Sequence, residues 1–223
     1  MSDARVSVCG LMVEVGGRVI LEPTTFAAGS GEVVALVGPS GSGKTTLLSC
    51  IGGTAVPSRG TAEVDGVCVS GLPGAERARF RRERVGLVFQ EPELLDELSV
   101  GENVALQLIF SGMPRSQARE RAVTALERVA IPHLVDARVQ TLSGGEAQRA
   151  AIARATASRA AVILADEPTA SLDATNAQQV TRLLMDAARN QGATVLMATH
   201  DLDVAAACDR TVSLRNSGAG QSR

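Results

Sequence analysis

The sequence predicts an α/β fold: a parallel sheet flanked by helices, an antiparallel β-subdomain ahead of it, and an α-helical subdomain inserted within it. Three observations predict this. Short β-branched runs alternate with helical stretches in the second half of the chain, the order that yields parallel sheets. Of 223 residues, 45% are hydrophobic but only 2% aromatic, with no Trp or Tyr. The core must therefore be Val, Leu, Ile and Ala, the mixture of a sheet buried on both faces. A glycine-rich loop also joins an apolar strand to a helix near residue 40.

Taken in order, residues 6–8, 13–15 and 19–21 read as short strands, with Gly16 and Gly17 turning between the last two. Residues 32–37 are a continuous apolar strand leading into the glycine loop. A helix follows from Gly43 or Lys44 to about Ile51, where Gly52 and Gly53 stop it. Residues 61–64 and 85–89 are further strands. From Pro92 to Gln140 the pattern turns helical. Leu106, Ile109 and Phe110 share one face, and residues 115–128 form a charged amphipathic helix with Ala122, Val123, Leu126 and Val129 inward. After this insertion come a strand at 161–165, a helix at 173–189, a strand at 193–198, a short helix at 202–207 and a strand at 210–214. The chain thus divides into an α/β core (1–91 and 141–215), a helical subdomain (92–140) and a Gly/Ser/Gln-rich tail (216–223) expected to be flexible.

Composition excludes several classes. A net charge of -2 gives no basis for a nucleic-acid partner. The four cysteines, Cys9, Cys50, Cys68 and Cys208, are scattered without metal-ligand spacing and read as reduced thiols in a cytosolic setting. Residues 1–5 are too polar for a secretory signal. No apolar run approaches the roughly 18 residues that span a bilayer, so any link to a membrane would run through a partner and not by direct insertion.

Three motifs carry chemistry. Gly38-Pro39-Ser40-Gly41-Ser42-Gly43-Lys44-Thr45 matches G-x-x-x-x-G-K-[ST], the phosphate loop of P-loop NTPases. The glycines let backbone N–H groups converge on phosphate oxygens, and the following helix points its positive end at the same anion. Lys44 would reach the β and γ phosphates, and Thr45 would ligate Mg²⁺. Lys44 is the only lysine among 22 basic residues. A site needing a compact ammonium and rejecting a planar guanidinium would leave that trace. Second, residues 161–165 end in the adjacent carboxylates Asp166 and Glu167. Ligands of doubly wound sheets bind beyond such strand ends. Asp166 would hold Mg²⁺, and Glu167 would orient or deprotonate the attacking water. Third, Ser143 and Glu146 form a capping box opening a helix to about Ser158. The box leaves unexplained why Gly144 and Gly145 occupy its first turn, where glycine costs helix stability.

Together these segments resemble the ABC ATPases. Gly38 through Thr46 look like that family's phosphate loop, Leu142 through Glu146 like its signature motif, and Val162 through Glu167 like its magnesium and base strand. Gln90 is similar to its glutamine hinge and would also touch the metal. Ser171-Leu172-Asp173 is similar to the loop that crosses between subunits. His200 stands where the family keeps its switch histidine. The resemblance implies Mg²⁺-dependent ATP hydrolysis by a head-to-tail homodimer. Each ATP would lie between one phosphate loop and the other chain's Ser143, Gly144 and Gly145. His133, by contrast, reads as a loop residue. Residues 89–104 narrow the resemblance to the lipoprotein-releasing, macrolide-export and cell-division cassettes. That implies an integral membrane permease docked on Leu94, Leu95 and Leu98, with the chain peripheral on the inner face of the cell membrane. The alternatives are a soluble non-transport ATPase of the same family, which would need a long coiled coil or a second cassette, and a cell-division scaffold with slow turnover. Two departures stand out. Val15 occupies the position where the family stacks adenine on an aromatic ring, and Asp96 replaces a proline common in the sub-family.

Overall fold

The computed structural model describes residues 4–215, and the expected tail at 216–223 lies outside the described residues. The chain opens with two long antiparallel strands, β1 (Ala4–Val15) and β2 (Arg18–Gly29), where three short ones were expected. Gly16 and Gly17, both with positive φ, make the turn between them. They are followed by β3 (Val33–Val37), α1 (Lys44–Ile51), β4 (Arg59–Val64), β5 (Val67–Cys68), α2 (Gly74–Arg84) and β6 (Val85–Val88). The order β2-β1-β4-β5 makes the antiparallel sheet. β5 and α2 were not foreseen.

Next come α3 (Val100–Phe110), α4 (Arg115–Arg128) and α5 (Gly144–Ala157), then β7 (Val162–Asp166), α6 (Ala174–Gln191), β8 (Thr194–Ala198), α7 (Leu202–Ala207) and β9 (Arg210–Ser213). A five-stranded sheet runs β6-β7-β8-β3-β9, with every pairing parallel. Its strands alternate faces with period two. Ile163, Ala165, Val195 and Met197 join the cluster formed with α3, α4, α5 and α6. Val162, Leu164, Leu196 and Ala198 join the cluster under α1 and the antiparallel sheet.

One face assignment is corrected. On α3 the buried apolar side chains are Val100, Val104, Ala105 and Leu108, while Phe110 is 67% exposed. Asn103 sits on the buried side and interrupts the apolar pattern that would have shown the true face.

Candidate functional site

Because the sheet is parallel, its strands deliver their carboxyl ends to one edge. β6 is followed there by Gln90, β7 ends in Asp166 with Glu167 next, β8 leads to Thr199 and His200, and β3 runs into the glycine loop. Residues more than 30 positions apart in sequence meet for that reason, as ligand sites of doubly wound sheets do.

The loop wraps the start of α1. Gly43 is the N-cap, with φ 89° and no side-chain cap bond, so the first-turn N–H groups are free for another acceptor. A Cβ at Gly43 would come within 2.7 Å of the Ile20 carbonyl oxygen, so the loop packs directly on β2. Lys44 is 9% exposed. Its Nζ donates to the Gly38 carbonyl at 2.9 Å and lies 3.8 Å from Glu167 Oε1. Glu167 Oε2 lies 2.8 Å from His200 Nδ1. One carboxylate thus sits between an ammonium and an imidazole. Its backbone is held at φ 47°, with the N–H donated to Ala198 O at 2.9 Å. A non-glycine residue in that region costs of order 1–3 kcal/mol, which neighbouring structure must offset.

Asp166 is the electrostatic outlier. Burial pushes its carboxyl above the ordinary 3.8; the Thr45 hydroxyl beside it pulls down, the Glu167 charge pushes up, and Lys44 pulls down. Its Oδ1 is buried with no hydrogen-bond partner. An orphaned, desolvated carboxylate oxygen beside a hydroxyl suits a hard divalent cation. Among the described residues no group of three His, Cys, Asp or Glu forms a protein-only cage. Mg²⁺ held by one or two protein oxygens plus phosphates fits that sparse donor set.

The remaining expected residues are held by other contacts. Gln90 Nε2 is 3.4 Å from Ser171 Oγ, which ties β6's end to the loop after β7. Asp173 caps α6, accepting from the Asn176 N–H at 2.9 Å, and that bond holds its carboxyl below the usual range. Ser143 and Glu146 form the expected capping box on α5. Among the described residues no hydrogen bond or ion pair joins Ser143, Gly144 or Gly145 to the phosphate loop of the same chain. Val15 ends β1, 64% exposed. Of the leucines after Gln90, Leu95 is 46% exposed, whereas Leu94 packs partly against the core.

Sequence reasoning missed the groups that hold residues 89–99. Arg154 donates to Glu93 O at 2.6 Å and Pro92 O at 2.8 Å, and burial lowers its pKa. Gln148, 1% exposed, donates to Phe89 O at 2.9 Å. Asn103 accepts from Leu95 N–H at 2.7 Å and donates to Leu95 O at 3.0 Å. A cavity of about 350 Å³ opens beside this loop, lined by Leu87, Phe89, Glu93, Phe110 and Arg154 among others.

Known proteins of similar sequence and fold identify the family. The lipoprotein-releasing system ATP-binding protein LolD of Oleidesulfovibrio alaskensis is 46% identical over 185 residues, 83% of this chain and 80% of that protein. LolD of Gluconobacter oxydans is 44% identical over 197 residues, 88% and 85% of the two chains. The dimeric, post-hydrolysis structure of the ATP-binding cassette MJ0796 with ADP and Pi has a TM-score of 0.86 and 33% identity, covering 98% of this chain and 97% of that one. Clostridium perfringens cbiO1, part of the ABC transporter complex cbiONQ, has a TM-score of 0.87 and 30% identity over 97% and 86%. A family model described as ABC transporter matches residues 21–170. By its fold, its strand-end cluster and these relatives, this chain belongs to the ABC transporter family, as a subunit that binds and hydrolyses ATP.

Proposed function

We propose that the chain energises an integral membrane permease of the lipoprotein-releasing kind. Two copies would pair head to tail and hydrolyse Mg·ATP between them. The observation that carries the site is the unbroken array Lys44, Glu167, His200, with the buried orphan oxygen of Asp166 beside it.

Residues 38–46 cradle the triphosphate through backbone N–H groups and the α1 terminus. Lys44 leaves the Gly38 carbonyl for the β and γ phosphates. Thr45 and Asp166, with Gln90 at the edge, would hold the metal. When bound, magnesium neutralises charge on the phosphates and the leaving group. Glu167 accepts the proton of the attacking water, its position set by the His200 bond. His200 then follows the γ-phosphate. In the pair, Ser143, Gly144 and Gly145 of one copy close over the other's ATP, and Asp173 crosses the interface. Loss of the γ-phosphate loosens the two halves. The MJ0796 dimer with ADP and Pi supports this reading.

Residues 92–140 act as a helical subdomain that carries the docking surface. Leu95, with the cavity at Phe110 and Leu87, receives a cytoplasmic helix of the permease. No described helix is long and apolar enough to cross a membrane. Attachment at the inner face goes through the permease in this reading. Likeness to LolD proteins supports lipid-anchored proteins as the cargo class.

The test is a pair of variants. Lys44→Ala loses Mg·ATP affinity. Glu167→Gln keeps affinity but loses turnover by roughly 10²–10⁴-fold. A Glu167→Gln chain that hydrolyses ATP at the parent's rate overturns the base assignment.

A further inference from the structure

We infer that Asn176 is a positioning residue that locks the signature loop to the crossing loop of the same chain, so that the two move as one body. The inference rests on the reading above that Ser143, Gly144, Gly145 and Asp173 face a second copy.

Asn176 is the third residue of α6. Its Nδ2 donates to Asp173 Oδ2 at 2.6 Å, while its backbone N–H donates to Asp173 Oδ1 at 2.9 Å. Both oxygens of Asp173 are therefore committed, and the carboxylate cannot swing freely. The other end of the amide lies over Gly145. A Cβ there would sit 2.4 Å from Asn176 Oδ1 and 2.8 Å from its Cγ. A Cβ at Gly144 would meet nothing within 4 Å.

The two glycines of this first turn thus serve different purposes. Gly144 faces open space and leaves backbone accessible. Gly145 is buried, and its missing side chain makes room for the Asn176 amide. A flexible side chain would ordinarily step aside for an added methyl group. This one is pinned by Asp173, so shifting it breaks the charge-assisted bond that orients that carboxylate. Pressure on α5 at Gly145 is passed through one amide to Asp173. A nucleotide closing on Ser143 and Gly144 would then set Asp173 with no separate signal.

The experiment is a double-mutant cycle on the full chain in a Glu167→Gln background, reading ATP-driven dimerisation by sedimentation and Mg·ATP affinity of the monomer by calorimetry. Asn176→Ala should raise the ATP concentration for half-dimerisation by about tenfold or more while monomer affinity and melting midpoint stay close to the parent's. Gly145→Ala, which itself faces the second copy, should raise that concentration at least as much, and the double variant should be no worse than Gly145→Ala alone, because both break one link. Additive losses, or parent-like dimerisation of Asn176→Ala, overturn the lock. If Ser143→Ala and Asp173→Ala both dimerise like the parent, the interface reading fails instead.

Discussion

Replacing Arg154 with alanine isolates the attachment of the Gln90 loop. The guanidinium makes two charge-assisted bonds, 2.6 and 2.8 Å long, to adjacent carbonyls. Such bonds contribute about 1.5–3 kcal/mol each when buried. Glu93 is exposed and Pro92 half-buried, so water replaces part of each bond, and about 1 kcal/mol apiece remains. Loss of the aliphatic stem adds about 1–2 kcal/mol at roughly 0.8 kcal/mol per buried CH₂. Relief of the burial that depresses the Arg154 pKa subtracts some of this. The net loss is about 2–3 kcal/mol, a fall in melting midpoint of roughly 4–12 °C for a chain of this size. The protein stays folded, given typical stabilities of about 5–15 kcal/mol. Arg154→Lys, which keeps charge but not the planar fork, should lose about half as much. Thermal unfolding followed by circular dichroism reads both, and permease-stimulated ATP turnover should fall further than turnover of the isolated chain. A midpoint within about 1 °C of the parent's would refute the reasoning, because the two bonds would then contribute nothing net.

Three other outcomes follow from single sites. Asp166→Asn should raise the melting midpoint without nucleotide while abolishing hydrolysis. The folded-state pKa is raised by burial, so stability falls as pH rises from the ordinary 3.8 through the folded value, and the gain from Asn should shrink as pH drops toward that window. With Mg·ATP the ranking should reverse; an unchanged ranking sinks the metal assignment. Gly43→Ala should weaken nucleotide binding and cost about 1–2 kcal/mol from handedness alone, before the 2.7 Å approach to Ile20 is counted. Calorimetric ATP titration beside a melting curve checks it. Leu95→Glu should leave stability within about 0.5 kcal/mol, since the residue is 46% exposed, yet abolish co-purification with the permease. Parent-like recovery of the complex would rule out docking at residues 90–98. Leu94 is unsuited to that test because it packs partly against the core.

Much of the site was legible because its chemistry restricts residue type. Phosphate approach demands bare backbone, and parallel strands must end at one edge, so Gly43, Lys44, Asp166 and Glu167 could be assembled from the sequence, whereas His200 entered only through the family resemblance. The bounds of α4 were legible because its charges and its Ala/Leu spacing are unambiguous, although Val123, expected inward, is only half-buried and Ala118 and Ala125 take its place. β2 was cut short because Glu22, Pro23, Thr24 and Thr25 interrupt its apolar run after Leu21, and Pro23 is tolerated on an edge strand. α2 was invisible because Phe80 is its only buried residue.

The misreading of α3 shows how such signals can be recovered. Asn103 and Gln148 occupy buried positions on otherwise apolar helix faces, and Arg154 is largely enclosed. In sequence they look like breaks in pattern. In the structure all three serve residues 89–99: Gln148 holds Phe89, Arg154 holds Pro92 and Glu93, and Asn103 holds Leu95, Leu98 and Ser99. A loop without regular structure must still satisfy its backbone groups, and here α3 and α5 donate buried side chains to do so. Polar residues at apolar phase therefore marked a loop that could not be left to water. The consequence is mechanical. A loop bonded at Phe89, Pro92 and Glu93 to one helix cannot be displaced by a docked partner without carrying α5 along, and α5 is capped by Ser143.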